Sequence, residues 1–219
     1  MRGVQHVSAR DSGCYNSVMS GAAVAFAPDP SPEPLFRLSI KQYHAMIDAG
    51  VLTDDDPVEL IEGILVYKVP KKPRHRIALA KLQRAITPLL PPDTSLQTQE
   101  PITLSDGEPE PDATVFRGKP EDYSTRHPGS DEVALVIEVA DTTLARDRGI
   151  KLRSYARANL PVYWIVDLIG ETIEVYRDPD PQAVPPTYRQ PQIYDLRSSV
   201  PLEIRGQVIA SIPVASVLP

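Results

Sequence analysis

VALVIEVAD, residues 133 to 141, is the stretch that decides the fold. Its first eight positions are apolar except for Glu138, so the run reads as a buried strand carrying one carboxylate. Side chains alternate faces along a strand. Glu138 therefore shares a face with Ala134, Val136 and Ala140, while Val133, Leu135, Ile137 and Val139 take the other. Both faces are apolar, the pattern of a central strand covered by helices on both sides. An unpaired ionised carboxylate in such a place is costly to desolvate and is driven to protonate or to find a cation. Glu138 lies near the C-terminal end of the run, just before Asp141-Thr142-Thr143. That position puts it at the mouth of a cleft, where sheet proteins tend to place ligands. The alternative is a salt bridge to an arginine of the following helix.

The segments around this strand alternate in type. SIKQYHAMIDAG (39–50) reads as a short helix: Ser39 and Gln42 make a capping-box pattern, Ile40, Tyr43, Met46 and Ile47 share a face, and Gly50 ends it. VELIEGILVYKVP (58–70) reads as two strands broken at Gly63, a hairpin. HRIALAKLQRAITPLL (75–90) is an amphipathic helix whose buried stripe is His75, Ala78, Leu79, Leu82 and Ile86. SLQTQEPITL (95–104) and PDATVFR (111–117) are strands, and a helix is expected from about Asp147 to Ala158, weakened at its start by Gly149. PVYWIVDL (161–168) and GETIEVYR (170–177) form a hairpin through Ile169-Gly170, and the proline-rich remainder adds one or two edge strands. This order, without repeats, predicts an α/β (α+β) fold with a mixed central sheet flanked by helices and extra hairpins.

The chain has 219 residues, 42% of them hydrophobic and 24% charged, which supports one full core and a short appendage. Residues 1 to 34 lack periodicity and end in PDPSPEP. They read as a disordered N-terminal extension closing in a stiff linker, with Met19 as an alternative start, and 35 to 219 as the folded domain. No window approaches the roughly 18 apolar residues of a membrane span, and the N-terminus has no continuous apolar core. The expectation is a cytoplasmic protein with no membrane partner. Cys14 stands alone and cannot form an internal disulfide. A net charge of −6 argues against a surface coated in phosphate-binding residues. It leaves room for a local patch, because Lys68, Lys71, Lys72, Arg74, Arg76, Lys81 and Arg84 follow one another with no acid between them. Lys71, Lys72, Arg74 and Arg76 are the candidate nucleic-acid contacts of that run. The alternative is a solvated basic face.

A second carboxylate bears on Glu138. Asp112 follows a proline that holds the chain extended, and it shares a face with Glu110 two residues earlier. If this strand pairs beside 133–140, Asp112 and Glu138 converge. Two like charges so close repel unless a divalent cation lies between them, and oxygen ligands of this type suit Mg2+ or Mn2+. The alternative for Asp112 is a strand-entry residue facing water. Lys151 follows Asp147 by four residues, the favourable order for an exposed ion pair on a helix. The sharper reading puts its ammonium over the cleft, where it could hold a water or hydroxide and stabilise charge on a phosphorane. Tyr155 is one turn further along the same face. His75 is either a water-positioning base or substrate contact at the cleft end of its helix, or a satisfied member of the apolar stripe.

The Pro111-Asp112 pair, IEV at 137 to 139 and a following lysine resemble the PD-(D/E)xK nuclease superfamily. More closely, the stretch from about Val58 resembles the Uma-two family of restriction-endonuclease-like proteins. The matching pieces are VELIEG (58–63), His75, PDATV (111–115), LVIEVAD (135–141), the spacing of Asp147, Lys151 and Tyr155, and YWIVD (163–167). The resemblance implies a restriction endonuclease-like core with a metal held by carboxylates at the edge of two adjacent strands. It implies Asp112 and Glu138 as the metal ligands, and it adds Glu59, which matches a family acid and otherwise reads as an exposed residue at a strand start. One departure concerns the superfamily's third signature residue, which lies two positions after the glutamate. Here that position is Ala140, and Lys151 stands where the closer family has its lysine. The expectation is an endonuclease that hydrolyses DNA phosphodiester bonds, with Asp112 and Glu138 binding Mg2+ or Mn2+ and Lys151 assisting the water nucleophile. A homodimer is expected by analogy, since cutting two strands needs two sites. The rival is a catalytically inactive nuclease fold serving as a nucleic-acid-binding or protein-interaction module, which net acidity and the missing strand lysine favour. Hydrolysis of a small phosphorylated or nucleotide substrate is a third reading.

Overall fold

The computed structural model describes residues 34–219. The expected extension over 1 to 34, with Cys14 and Met19, lies outside the described residues apart from Pro34. In chain order the elements are α1 (Ile40–Asp48), β1 (Val58–Ile61), β2 (Ile64–Tyr67), α2 (Pro73–Ile86), β3 (Thr94–Thr98), β4 (Ala113–Arg117), β5 (Val133–Ala140), α3 (Leu144–Arg146), a wide π-type turn (Asp147–Lys151), α4 (Leu152–Arg157), β6 (Val162–Asp167), β7 (Thr172–Arg177), β8 (Pro179–Asp180), β9 (Thr187–Tyr188), β10 (Gln192–Tyr194), β11 (Ser199–Ile204) and β12 (Gln207–Pro213).

β5 is buried along its whole length, as the apolar run 133–140 demands. It stands inside a six-stranded sheet of order β10-β7-β6-β5-β4-β3. Only the β5 and β6 pair is parallel; the other neighbours are antiparallel. A parallel pair needs a crossover connection, and α3, the π-type turn and α4 supply it.

Apolar layers cover both faces. On one, Ala78, Leu79, Leu82 and Ile86 of α2 pack with Val200 and Leu202 of β11 and Ile212 of β12 against Leu135, Ile137, Val139, Trp164 and Val175. On the other, Leu152, Tyr155 and Ala156 of α4 pack with Ile102, Leu104 and Tyr188 against Val136, Ala140, Tyr163 and Ile165. Burying one such Leu or Ile side chain stabilises the fold by about 1.5–3 kcal/mol relative to leaving it exposed. The α2 stripe, His75 included, is the one its periodicity predicts.

The face assignment along β5 holds from Leu135 onward and fails before it. Val133 packs with Val136 and Ala140, and Ala134 with Leu135 and Ile137. The cause is a register shift: Val115 pairs with Leu135, but Phe116 pairs with Val133. One extra residue on β5 makes a bulge, which strict alternation cannot anticipate.

Local signals place the flanking pieces. α1 carries its capping box, with Ser39 Oγ accepting from the Gln42 backbone N–H at 3.3 Å and Gln42 Oε1 accepting from the Ser39 N–H at 2.9 Å. β1 and β2 pair through Glu62 and Gly63, whose φ values of 51° and 74° are those of a type I′ turn. Glycine suits this turn twice over, because a Cβ on Gly63 would lie 2.7 Å from Arg37 Cβ.

Three expectations are corrected. The strand over 95–104 stops at Thr98: Gln99 takes a positive φ of 60°, Pro101 has no N–H to give, and Thr103 makes an isolated bridge to Gly129. The crossover helix does not run evenly from Asp147, since helical structure begins at Leu144 and widens over Asp147–Lys151 with a kink at Gly149. The C-terminal part holds five short strands rather than one or two: β10 extends the sheet, while β8 with β9 and β11 with β12 form separate pairs. Among the described residues no helix is long and apolar enough to cross a membrane.

Candidate active site

β4 and β5 run antiparallel with Ala113 opposite Ile137, so the residue before Ala113 lies abreast of the residue after Ile137. Those two are Asp112 and Glu138. Both are buried, at 7% and 4% exposure, yet both line a solvent-open cleft of about 600 Å3. Its other walls come from Glu59 of β1, the Lys68–Lys72 loop, His75 near the start of α2, and Asp141 to Lys151 after β5.

Asp112 is folded onto β5. Its Oδ2 accepts from the Val139 backbone N–H at 2.8 Å and from His75 Nε2 at 2.9 Å. Oδ1 accepts no hydrogen bond among the described residues, and Lys71 Nζ stands 4.0 Å from it. Glu138 is held by the crossover: its Oε1 accepts from Lys151 Nζ at 2.8 Å and from the Tyr155 hydroxyl at 2.6 Å. The salt bridge anticipated from an arginine of the next helix comes instead from Lys151. Burial pushes the Glu138 carboxyl up to about 8; Lys151 opposes this, while the carboxylates of Asp112, Asp147 and Glu59 add to it.

Lys151 is buried and bridges two acids, with Glu59 Oε2 at 3.0 Å on its far side. Burial alone would lower its pKa, but Glu138 and Glu59 outweigh burial and hold the ammonium above its usual range. The alternative reading of Asp147 and Lys151 as an exposed ion pair does not hold: both are buried and they form no salt bridge. Asp147 instead accepts from Thr143 Oγ1 at 2.6 Å. The widened turn between them carries Lys151 inward, so that Lys151 and Tyr155, four apart, meet the same Glu138 oxygen.

Glu59 is buried, not exposed as its second reading had it. It accepts from the Glu110 backbone N–H at 2.9 Å and pairs with Arg146 as well as Lys151. His75 sits behind Asp112 and is 7% exposed. Of the basic candidates, Lys71 and Lys72 line the cleft, and each stands near an acid: Lys71 lies 3.9 Å from Glu110 and Lys72 3.7 Å from Asp141. Lys68 joins them, bonded to Glu110. Arg74 turns away to the Leu168 carbonyl at 3.1 Å, and neither it nor Arg76 lines the cleft.

Sequence reasoning missed Arg146, which donates to the Tyr67 carbonyl at 2.7 Å and pairs with Glu59, tying the β1–β2 hairpin to the crossover. Nothing in a segment also containing Arg148, Arg153 and Arg157 singles it out. Glu110 was visible, since its spacing to Asp112 puts both on the cleft side.

Known proteins resemble this arrangement at two levels. The family model described as "Uma2: Putative restriction endonuclease" matches residues 40–213, well over half of the chain. The crystal structure of "a putative nuclease belonging to DUF820 from Anabaena variabilis" matches with a TM-score of 0.57 and 17% sequence identity, over 82% of this chain and 97% of that one. At that identity the likeness is one of fold, and it bears out the restriction endonuclease-like core. No curated protein gives a significant match.

Proposed function

This chain belongs to the Uma2 family, and from that membership and the cleft's geometry we propose that it is an endonuclease hydrolysing DNA phosphodiester bonds with Mg2+ or Mn2+. One observation carries the reading: Asp112 and Glu138 stand abreast on adjacent strands and line the cleft, each with one oxygen taking two hydrogen bonds and the other none among the described residues.

The donor set suits such an ion. Among the described residues no group of three His, Cys, Asp or Glu could cage a metal. Mg2+ does not need a cage, because it is usually bound through one or two carboxylates and keeps waters or phosphate oxygens in its remaining positions. When bound, the cation lowers the pKa of a coordinated water and offsets charge on the scissile phosphate. Lys151 stays protonated, so it donates and is not a base. It donates to Glu138 and pairs with Glu59, and its remaining contact among the described residues is the Glu110 carbonyl at 3.5 Å. In this reading its remaining N–H orients a water or stabilises the pentavalent transition state. Lys68, Lys71 and Lys72 exchange their carboxylate partners for backbone phosphates, which position the duplex without reading its sequence. A homodimer would supply the second site that cutting both strands requires.

Asp112→Ala or Glu138→Ala should abolish Mg2+-dependent cleavage of supercoiled plasmid with an unchanged circular dichroism spectrum. Full cleavage by either variant sinks the mechanism. The rival reading, a nuclease fold that only binds nucleic acid or protein, has one observation in its favour: the Lys151 ammonium satisfies Glu138 without a metal. Absence of Mn2+ binding at millimolar concentration in calorimetry would support it.

A further inference from the structure

Asp112 and Glu138 are held in the same manner from opposite faces of the sheet. At each, one oxygen takes two hydrogen bonds and the other takes none among the described residues. His75 comes from α2, whose stripe packs on one face, and Tyr155 from α4 on the other. Neither is open to solvent, at 7% and 0% exposure.

We infer that His75 and Tyr155 are positioning residues, each tying down the inner oxygen of one carboxylate so that Asp112 Oδ1 and Glu138 Oε2 face one shared divalent cation. This rests on the metal-dependent reading above and deepens it. His75 was a candidate water-positioning base, and its surroundings assign it another part. A carboxylate oxygen only accepts, so the His75 nitrogen facing Asp112 carries the hydrogen. The other nitrogen, Nδ1, is buried and has no partner among the described residues. The ring therefore has one nitrogen occupied by Asp112 and one enclosed, and neither is free to meet a water in the cleft. Tyr155 is confined in the same way: its hydroxyl donates to Glu138 at 2.6 Å and its ring lies wholly in the apolar layer.

The benefit is preorganisation. A carboxylate fixed at one oxygen has already lost its side-chain freedom, so an arriving cation need not order it. Partners of this kind commonly matter to metal affinity by about 10- to 100-fold.

The test is Mn2+ calorimetry on the full chain without DNA, comparing wild type with Tyr155→Phe, His75→Leu and His75→Gln. Phe removes only the hydroxyl, and the Gln amide can offer an N–H where His75 Nε2 does. A control variant, Leu202→Ala, opens the buried core at β11 at a residue that does not line the cleft. Tyr155→Phe and His75→Leu should each weaken Mn2+ binding by about 10- to 100-fold. His75→Gln should recover most of that loss, and Leu202→Ala should bind as wild type does. Wild-type affinity in both Tyr155→Phe and His75→Leu overturns the inference while leaving the metal reading intact. An equal loss in Leu202→Ala also overturns it, since general loosening would then explain the effect. A wild type that binds no Mn2+ removes the metal reading and this inference together. If His75→Leu fails to fold, Tyr155→Phe decides.

Discussion

Asp147→Asn should stabilise the protein by an amount that grows with pH. Asp147 is 3% exposed in the cleft wall, with Thr143 Oγ1 donating to it at 2.6 Å. Burial pushes its carboxyl up to about 6 from an ordinary 3.8, against the lowering effects of the Thr143 hydrogen bond and of Lys151. The folded protein thus binds this proton more tightly than the unfolded chain does. The associated stability is fully present below pH 3.8, is lost as pH rises to the folded value of about 6, and stays lost above it. A shift of about two units corresponds to roughly 3 kcal/mol at about 1.36 kcal/mol per unit. At pH 8 the carboxyl is ionised in both states, and Asn, neutral and of similar shape, escapes the whole of that. At pH 5 the folded carboxyl is mostly protonated, and the same linkage gives an escape of about 1.5 kcal/mol. New contacts of the amide add equally at both pH values, so the difference of about 1.5 kcal/mol is the robust quantity. Urea unfolding of wild type and variant at pH 5 and pH 8 measures it. A gain that is the same at both pH values, or larger at pH 5, refutes the reading of Asp147 as a buried acid ionised at a cost. A stabilised variant that loses cleavage would mark Asp147 as an acid kept for function, since such residues often trade stability for activity.

Two further outcomes follow from geometry. Gly63→Ala places a Cβ at φ 74° and 2.7 Å from Arg37 Cβ, so denaturant unfolding should show a loss of about 2 kcal/mol, and a neutral result would contradict the turn. Lys71→Ala and Lys72→Ala should each lower the slope of log affinity against log salt for duplex DNA by about one, read by fluorescence anisotropy, whereas Arg74→Ala, turned to the Leu168 carbonyl, should leave the slope unchanged.

What the sequence made legible is what local periodicity encodes. The continuous apolar run of β5 has one interpretation once both its faces are apolar, and the α2 stripe repeats at helical spacing. The Glu62-Gly63 turn was readable because glycine interrupts two apolar runs, while the matching Arg205-Gly206 turn, with φ values of 53° and 75°, escaped notice among the C-terminal prolines. Strands as short as β8 and β9 have no period to read at all. The bulge in β5 lies in its pairing with β4, and a pairing register is not a property of either strand alone. The site divides in the same way. That Asp112 and Glu138 converge was legible from strand alternation and position, but the partners of Glu59 and the inward swing of Lys151 depend on segments brought together only by the fold.

Ala140 occupies the position two residues after Glu138 on its strand. It shares the Glu138 face of β5, is 1% exposed, and packs in the layer that also holds Tyr155 and Tyr163. A lysine at 140 would have to carry its stem into that layer, which also holds the ring whose hydroxyl binds Glu138. The ammonium reaches Glu138 from Lys151 instead, one turn before Tyr155, through a turn wide enough to aim both at a single oxygen. Lys151 consequently cannot be moved independently of Tyr155 or of Glu59, which grips it from the other side. Glu138 therefore takes its ammonium partner from outside its own strand, through a linked set of Lys151, Tyr155 and Glu59.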